Sequence, residues 1–101
     1  MKFDELMLQW EARGLKRGQT LLLNASEAME MIAAAQVSKI QILGVDSFRI
    51  TNLTTEPQDE HTLDLSTATR QDDSWKLATD FIQQRSQLNF VFEVTLEDAA
   101  G

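Results

Sequence analysis

The chain has no cysteine among its 101 residues, so disulfides, thiolate zinc sites and cysteine nucleophiles are all excluded. That absence fits a reducing compartment. Histidine occurs once, as His61, so there is no metal-spaced histidine pair. No phosphate-cradling glycine loop, nucleophile elbow or EF-hand loop is present either. The longest apolar runs, Leu21-Leu22-Leu23 and Ile32-Ala33-Ala34-Ala35, are far too short to span a bilayer. The opening Met1-Lys2-Phe3-Asp4-Glu5 places acids where a secretory signal needs bases and then apolar residues. A cytoplasmic protein is the expectation, with no membrane contact.

Basic residues are scarce in one part of the chain only. Residues 1–55 carry six acids and six bases, whereas residues 56–101 carry ten acids against Arg70, Lys76 and Arg85. The net charge of −7 therefore resides entirely in the second part. A one-sided field of this sign attracts basic partners and repels nucleic acid and anionic lipid. The short cluster Arg13, Lys16, Arg17 is too small to overturn that balance.

Length predicts a single domain over 1–101, able to bury its own core: an N-terminal helix and basic loop (1–18), an α/β core (19–97) and a frayed tail (98–101). Phe3, Leu6, Met7 and Trp10 follow the period of one helical face, which predicts a first helix from Phe3 to Arg13 stopped by Gly14. Leu15-Lys16-Arg17-Gly18 reads as a basic loop, and Leu21 to Leu23 as either a short strand or the approach to the next helix. Asn24 and Glu27 have the spacing of a capping box, with Ala25, Ala28, Met29, Met31, Ile32 and Ala35 on one side of the helix that follows. A third helix follows Asp72 or Asp73, with Trp75, Leu77, Ala78, Phe81 and Ile82 inward.

Between the helices the period changes to two. Ile40, Ile42, Phe48 and Ile50 share a parity that Gly44 and Asp46 interrupt. Two readings follow: one strand bulged at Gly44, or two short strands joined by a turn at Gly44-Val45-Asp46-Ser47. Thr51 to Glu60 is polar, contains the only proline, Pro57, and reads as a loop. His61 to Ser66 alternates with Leu63 and Leu65 inward, and Phe90, Phe92, Val94 and Leu96 alternate in a closing strand. With the bulged strand, the order predicts an α+β fold. Its sheet is three-stranded and mainly antiparallel, a split β-α-β of order 2-1-3, with helices on one face and an additional N-terminal helix. In that register Arg49 points away from the helices with Asp64 and Glu93, and is expected to pair with one of them.

Candidate chemistry is sparse. His61 beside Asp59 and Glu60 has the residue types for general-base or hard-metal work, but neighbouring side chains on an extended segment diverge. Asp46 suits either an acid at a pocket mouth or a turn residue bonded to local backbone. Asp72 and Asp73 suit helix capping or an acidic knob offered to a partner. Trp10 and Trp75 lie on apolar helix sides and are expected in the core rather than as interface anchors.

The run Ile42-Leu43-Gly44-Val45-Asp46-Ser47-Phe48-Arg49-Ile50, with Leu63-Asp64-Leu65-Ser66, Ser74-Trp75 and Phe90-Val91-Phe92-Glu93-Val94, resembles a pattern of small bacterial domains of no assigned activity. In size and acidity the chain is also similar to immunity proteins that neutralise basic toxins. With no catalytic constellation and a charge excess confined to one part of the chain, the leading expectation is a non-enzymatic, acidic protein-binding module, an immunity or antitoxin role being its sharpest form. Its expected contact residues are Arg49, Asp64, Asp72, Asp73, Glu93 and Glu97, with no cofactor and no metal. The alternatives are a homodimeric housekeeping or ligand-binding domain joined through Met7, Trp10 and Leu15 and, more remotely, a carboxylate-dependent hydrolase using Asp46, Asp64 or His61.

Overall fold

The computed structural model describes residues 3–17, 20–51, 54–66 and 73–97. Its elements run α1 (Phe3–Glu11), β1 (Leu15–Arg17), β2 (Thr20–Leu22), α2 (Ala25–Val37), β3 (Ile42–Ile50), β4 (Thr55–Asp64), α3 (Ser74–Gln84) and β5 (Val91–Leu96). This is a mixed α+β fold of three helices, a three-stranded antiparallel sheet and a two-stranded sheet.

Helix α1 buries Leu6 and Trp10, and the Trp10 indole N–H donates to the Glu27 carbonyl at 3.1 Å, fixing α1 against the start of α2. The basic stretch expected as a loop is instead strand β1, paired antiparallel with β2 from Leu15↔Leu22 to Arg17↔Thr20. Its exposed side chains carry no burial alternation, so the pairing leaves no periodic trace in the sequence. Gly14 is required at the junction, because a Cβ there would lie 2.8 Å from the Leu22 carbonyl oxygen. Leu23 then exchanges two backbone hydrogen bonds with Phe92, at 2.9 and 2.7 Å, tying the hairpin to the edge of β5.

The capping box of α2 is formed in both directions: the Glu27 N–H donates to Asn24 Oδ1 at 2.8 Å and the Asn24 N–H to Glu27 Oε1 at 3.2 Å. At the other end Lys39 takes the left-handed conformation (φ 62°), the Ile40 N–H reaches the Ala35 carbonyl and the Lys39 N–H that of Gln36. These bonds complete a Schellman motif and turn the chain into the sheet. Helix α3 is set by its first turn. The Trp75 indole donates to the Ile40 carbonyl at 2.7 Å, and Ser74 Oγ accepts the Ile42 N–H while donating to Gln41 Oε1. Asp73 occupies the cap position but makes no side-chain capping bond, contrary to the capping reading; its backbone is already αR, and a capping side chain normally needs extended geometry. Asp72 lies outside the described residues. Leu77, expected inward, is 44% exposed on the outer side of α3.

Strand order is β4-β3-β5, all neighbours antiparallel. Helices α2 and α3 pack on the face bearing Ile42, Val45, Phe92, Val94 and Leu96, and on each other. Each such side chain fully buried contributes about 1.5–3 kcal/mol. Strand β4 is longer than expected: Thr55 to Glu60 is strand, not loop, with Pro57 tolerated because β4 is an edge.

Of the two readings at Gly44, the bulged strand is the one found. Ile42 pairs with Leu96 and Gly44 with Thr95, so Leu43 is an extra residue in β3. Gly44 is needed there because a Cβ would sit 2.8 Å from the Leu63 carbonyl oxygen. The extra residue shifts the alternation by one. Val45 and Ser47 are buried under the helices, while Asp46, Phe48 and Ile50 turn to the uncovered face. The expected placement of Phe48 and Ile50 inward and Arg49 outward is therefore reversed.

Candidate functional site

The face of the sheet that the helices leave open is where the acids converge. Asp46 stands on the central strand, opposite Glu93 on β5 and Thr62 on β4. Asp64 lies beside them, opposite the bare Gly44. Gly44 contributes no side chain, and a shallow pocket of about 440 Å³ opens there, lined by Gly44, Asp46, Thr62, Asp64, Ser66 and Thr95. None of the residues that the three strands turn to this face is basic.

Each carboxylate has a distinct environment. Asp46 Oδ1 accepts the Thr62 hydroxyl hydrogen bond. Asp64 Oδ1 accepts from both the Ser66 hydroxyl (2.6 Å) and the Ser66 backbone N–H (2.9 Å), which hold its carboxyl below the ordinary aspartate range. Glu93 is pushed the other way, first by partial burial and second by the negative charge of Asp46. Like charges directly opposite in an antiparallel pair are destabilising. This face therefore holds a repulsion that a cation would relieve.

The other sequence candidates do not join this group. Arg49 lies on the helix side of β3, its Cζ 5.6 Å from the centre of the Phe90 ring and its cross-strand neighbour Glu56. It pairs with neither Asp64 nor Glu93, because the Leu43 bulge turned it to the opposite face. Glu97 sits just past the end of β5, its backbone N–H bonded to the Gln41 carbonyl. Asp73 is exposed at the start of α3, outside the residues that line the pocket.

His61 is engaged structurally. Its Nδ1 accepts the Arg85 Nε–H at 3.1 Å and its ring lies 5.0 Å from that of Phe90. Arg85 also donates to the Phe81 carbonyl and stacks on the Phe81 ring at 3.8 Å, closing the end of α3. Among the described residues no three His, Asp or Glu side chains are grouped to hold a metal ion. Trp10 and Trp75 are both buried, so Trp10 is not available to an N-terminal dimer contact. Among the α1 residues with described side chains the exposed apolar one is Leu8, at 67%, which lies off the face marked by the helical period. The basic cluster is partly neutralised, by Arg13–Glu30 and Lys16–Glu11 ion pairs. Among the described residues no helix is long and apolar enough to cross a membrane.

Asp46 lines the pocket at Gly44, in keeping with the first of the two roles its sequence position suggests. The sequence pattern alone left its facing unresolved: a bulge at Gly44 reverses every side chain after it, and that reversal sets Asp46 opposite Glu93. Compared with known proteins, the chain matches no protein-family model and no curated protein.

Proposed function

We propose that this protein is a non-enzymatic acidic binding module that offers its open sheet face to a basic protein partner, an immunity or antitoxin role being the sharpest form of that reading. The observation that carries it is the juxtaposition of Asp46 and Glu93 with Asp64, on a face to which the strands bring no basic side chain. Ionising both members of an opposed pair costs stability in the free protein, and a partner's cations convert that cost into affinity. The segregation of charge in the chain supports the same reading, since β4 from Glu56 onward and all of β5, the strands flanking the centre of this face, lie in the part that carries the net negative charge.

Backbone amide NMR with a hexalysine peptide as the basic probe tests this directly. At low salt the shifts should cluster on Asp46, Thr62, Asp64 and Glu93, fade as salt is added, and be lost in the Asp46→Asn/Glu93→Gln double variant. Shifts centred on α1 or α3, or unaltered in the double variant, would overturn the proposal.

A further inference from the structure

The bulge in β4 forms a second pocket with a more selective lining than the acidic face as a whole. Phe48 pairs with Pro57 and Asp46 with Thr62, so Gln58, Asp59, Glu60 and His61 all stand against the single residue Ser47. Four residues opposite one push the edge strand outward and open a pocket of about 400 Å³. Asp46, Phe48, Pro57, Gln58, Asp59 and Thr62 line it.

The pocket is tied at both ends. On one side His61 is held by Arg85 and packed near Phe90; on the other the Gln58 amide donates to the Glu56 carbonyl at 3.2 Å. Its two carboxylates differ in freedom. Asp46 is oriented through Oδ1 by Thr62, while Oδ2 has no hydrogen-bond partner among the described residues. Asp59 is exposed on the bulge and makes no side-chain bond among the described residues. The walls beside them are the Phe48 ring and the Pro57 ring, paired across the strands on the same face.

Two carboxylates beside an aromatic and a proline ring favour one type of cation over another. A lysine ammonium is a compact, strongly hydrated charge, and apolar walls return little of the hydration it loses. A guanidinium is planar and weakly hydrated, donates along its edge to carboxylates and lays its face on aromatic rings. We infer that the bulge pocket is a slot for an arginine side chain of the partner, with Asp46 and Asp59 receiving the guanidinium edge and Phe48 and Pro57 flanking it. This rests on the proposed basic-partner reading and adds the side chain that the partner must present.

Titration calorimetry on the intact protein with hexaarginine, hexalysine and the neutral isostere hexacitrulline separates the two claims. Hexaarginine should bind about tenfold tighter than hexalysine, the scale of one charge-assisted contact, and hexacitrulline should not bind. Asp59→Asn, at an exposed position without a described bond to lose, should remove most of the arginine preference and leave hexalysine affinity within about twofold, as for a peripheral charge. Equal affinity for the two cationic peptides would overturn the slot and leave the acidic-face reading standing. So would an arginine preference that survives Asp59→Asn, because the preference would then arise elsewhere. Failure of both cationic peptides to bind would overturn both readings together.

Discussion

The two faces of the sheet are built from the same three strands and do opposite things. On the helix side Ile42, Val45, Phe92, Val94 and Leu96 are at most 7% exposed and pack against α2 and α3. On the open side the corresponding positions of the same strands hold Asp46, Glu93 and Asp64, together with half-buried Phe48 and Ile50. The first face is solved locally: apolar atoms meet apolar atoms. The second is left unsolved, with two carboxylates opposed and apolar side chains half covered. Stability is concentrated on one face and unspent interaction on the other, the division on which the proposed binding role rests.

That contrast predicts effects of very different size. Phe92→Ala removes a side chain with no exposure from the middle of the covered face and should cost about 3–5 kcal/mol, read as a lowered urea midpoint. A loss below about 1 kcal/mol, the scale of a surface substitution, would mean that the helices do not pack as described. Gly44→Ala comes next. The new Cβ meets the Leu63 carbonyl, a backbone atom that cannot swing aside, so about 1–3 kcal/mol is expected. The same variant should disturb the amide resonances of Asp46 and Thr62 more than those of α2, since the bulge sets which face Asp46 occupies.

The bulge also marks the boundary of what was legible in the sequence. Where the period runs without interruption, residues declare their side: Phe90, Phe92, Val94 and Leu96 are buried, and Asn24 and Glu27 form their capping box. Leu43 is one extra residue, and it exchanged the sides of Arg49 and Asp46. No count of apolar residues reports such a shift, because its cause is a close approach of Gly44 to another strand. The first half of β4 was illegible for a related reason. Thr55 to Pro57 is held by the backbone of β3 rather than by burial of its own side chains, and Gln58 to Glu60 belong to the bulge, so the segment carries the composition of a loop. Asp64 and Glu93 do stand on the open face, but their neighbour there is Asp46, and that neighbour makes the face acidic throughout.

Arg49→Ala sharpens the comparison from the other side. Arg49 has an aromatic neighbour and a cross-strand glutamate, both on the helix side, so its loss should cost no more than about 1 kcal/mol. Placed where it is, it should leave hexalysine binding on the open face nearly unaltered. A marked gain in affinity would indicate that Arg49 neutralises the open face after all.

The smallest effect is the most diagnostic, because it has opposite signs in folding and in binding. Glu93 in the folded protein is raised above its ordinary value of 4.5, so folding favours its protonated form. Below the ordinary value the group is protonated whether folded or unfolded, and no penalty exists. As pH rises from there through the raised folded value, the unfolded chain ionises more readily than the folded one, and a penalty grows to its full size. Glu93→Gln removes the charge, so the variant should be more stable than the parent at neutral pH and lose that advantage towards pH 4. The site is partly solvated, which limits the gain to a few tenths of a kcal/mol, on the order of an exposed charge pair. Asp64 behaves in the reverse sense, its Ser66 bonds favouring the ionised form, but it is common to both proteins and cancels from their difference. Paired urea titrations at neutral pH and near pH 4 measure that difference. A gain that persists unchanged in acid would place its origin in packing rather than in the Asp46–Glu93 repulsion. The same substitution should weaken hexalysine binding, because a carboxylate costly to keep ionised in the free protein is what a cationic partner comes to neutralise.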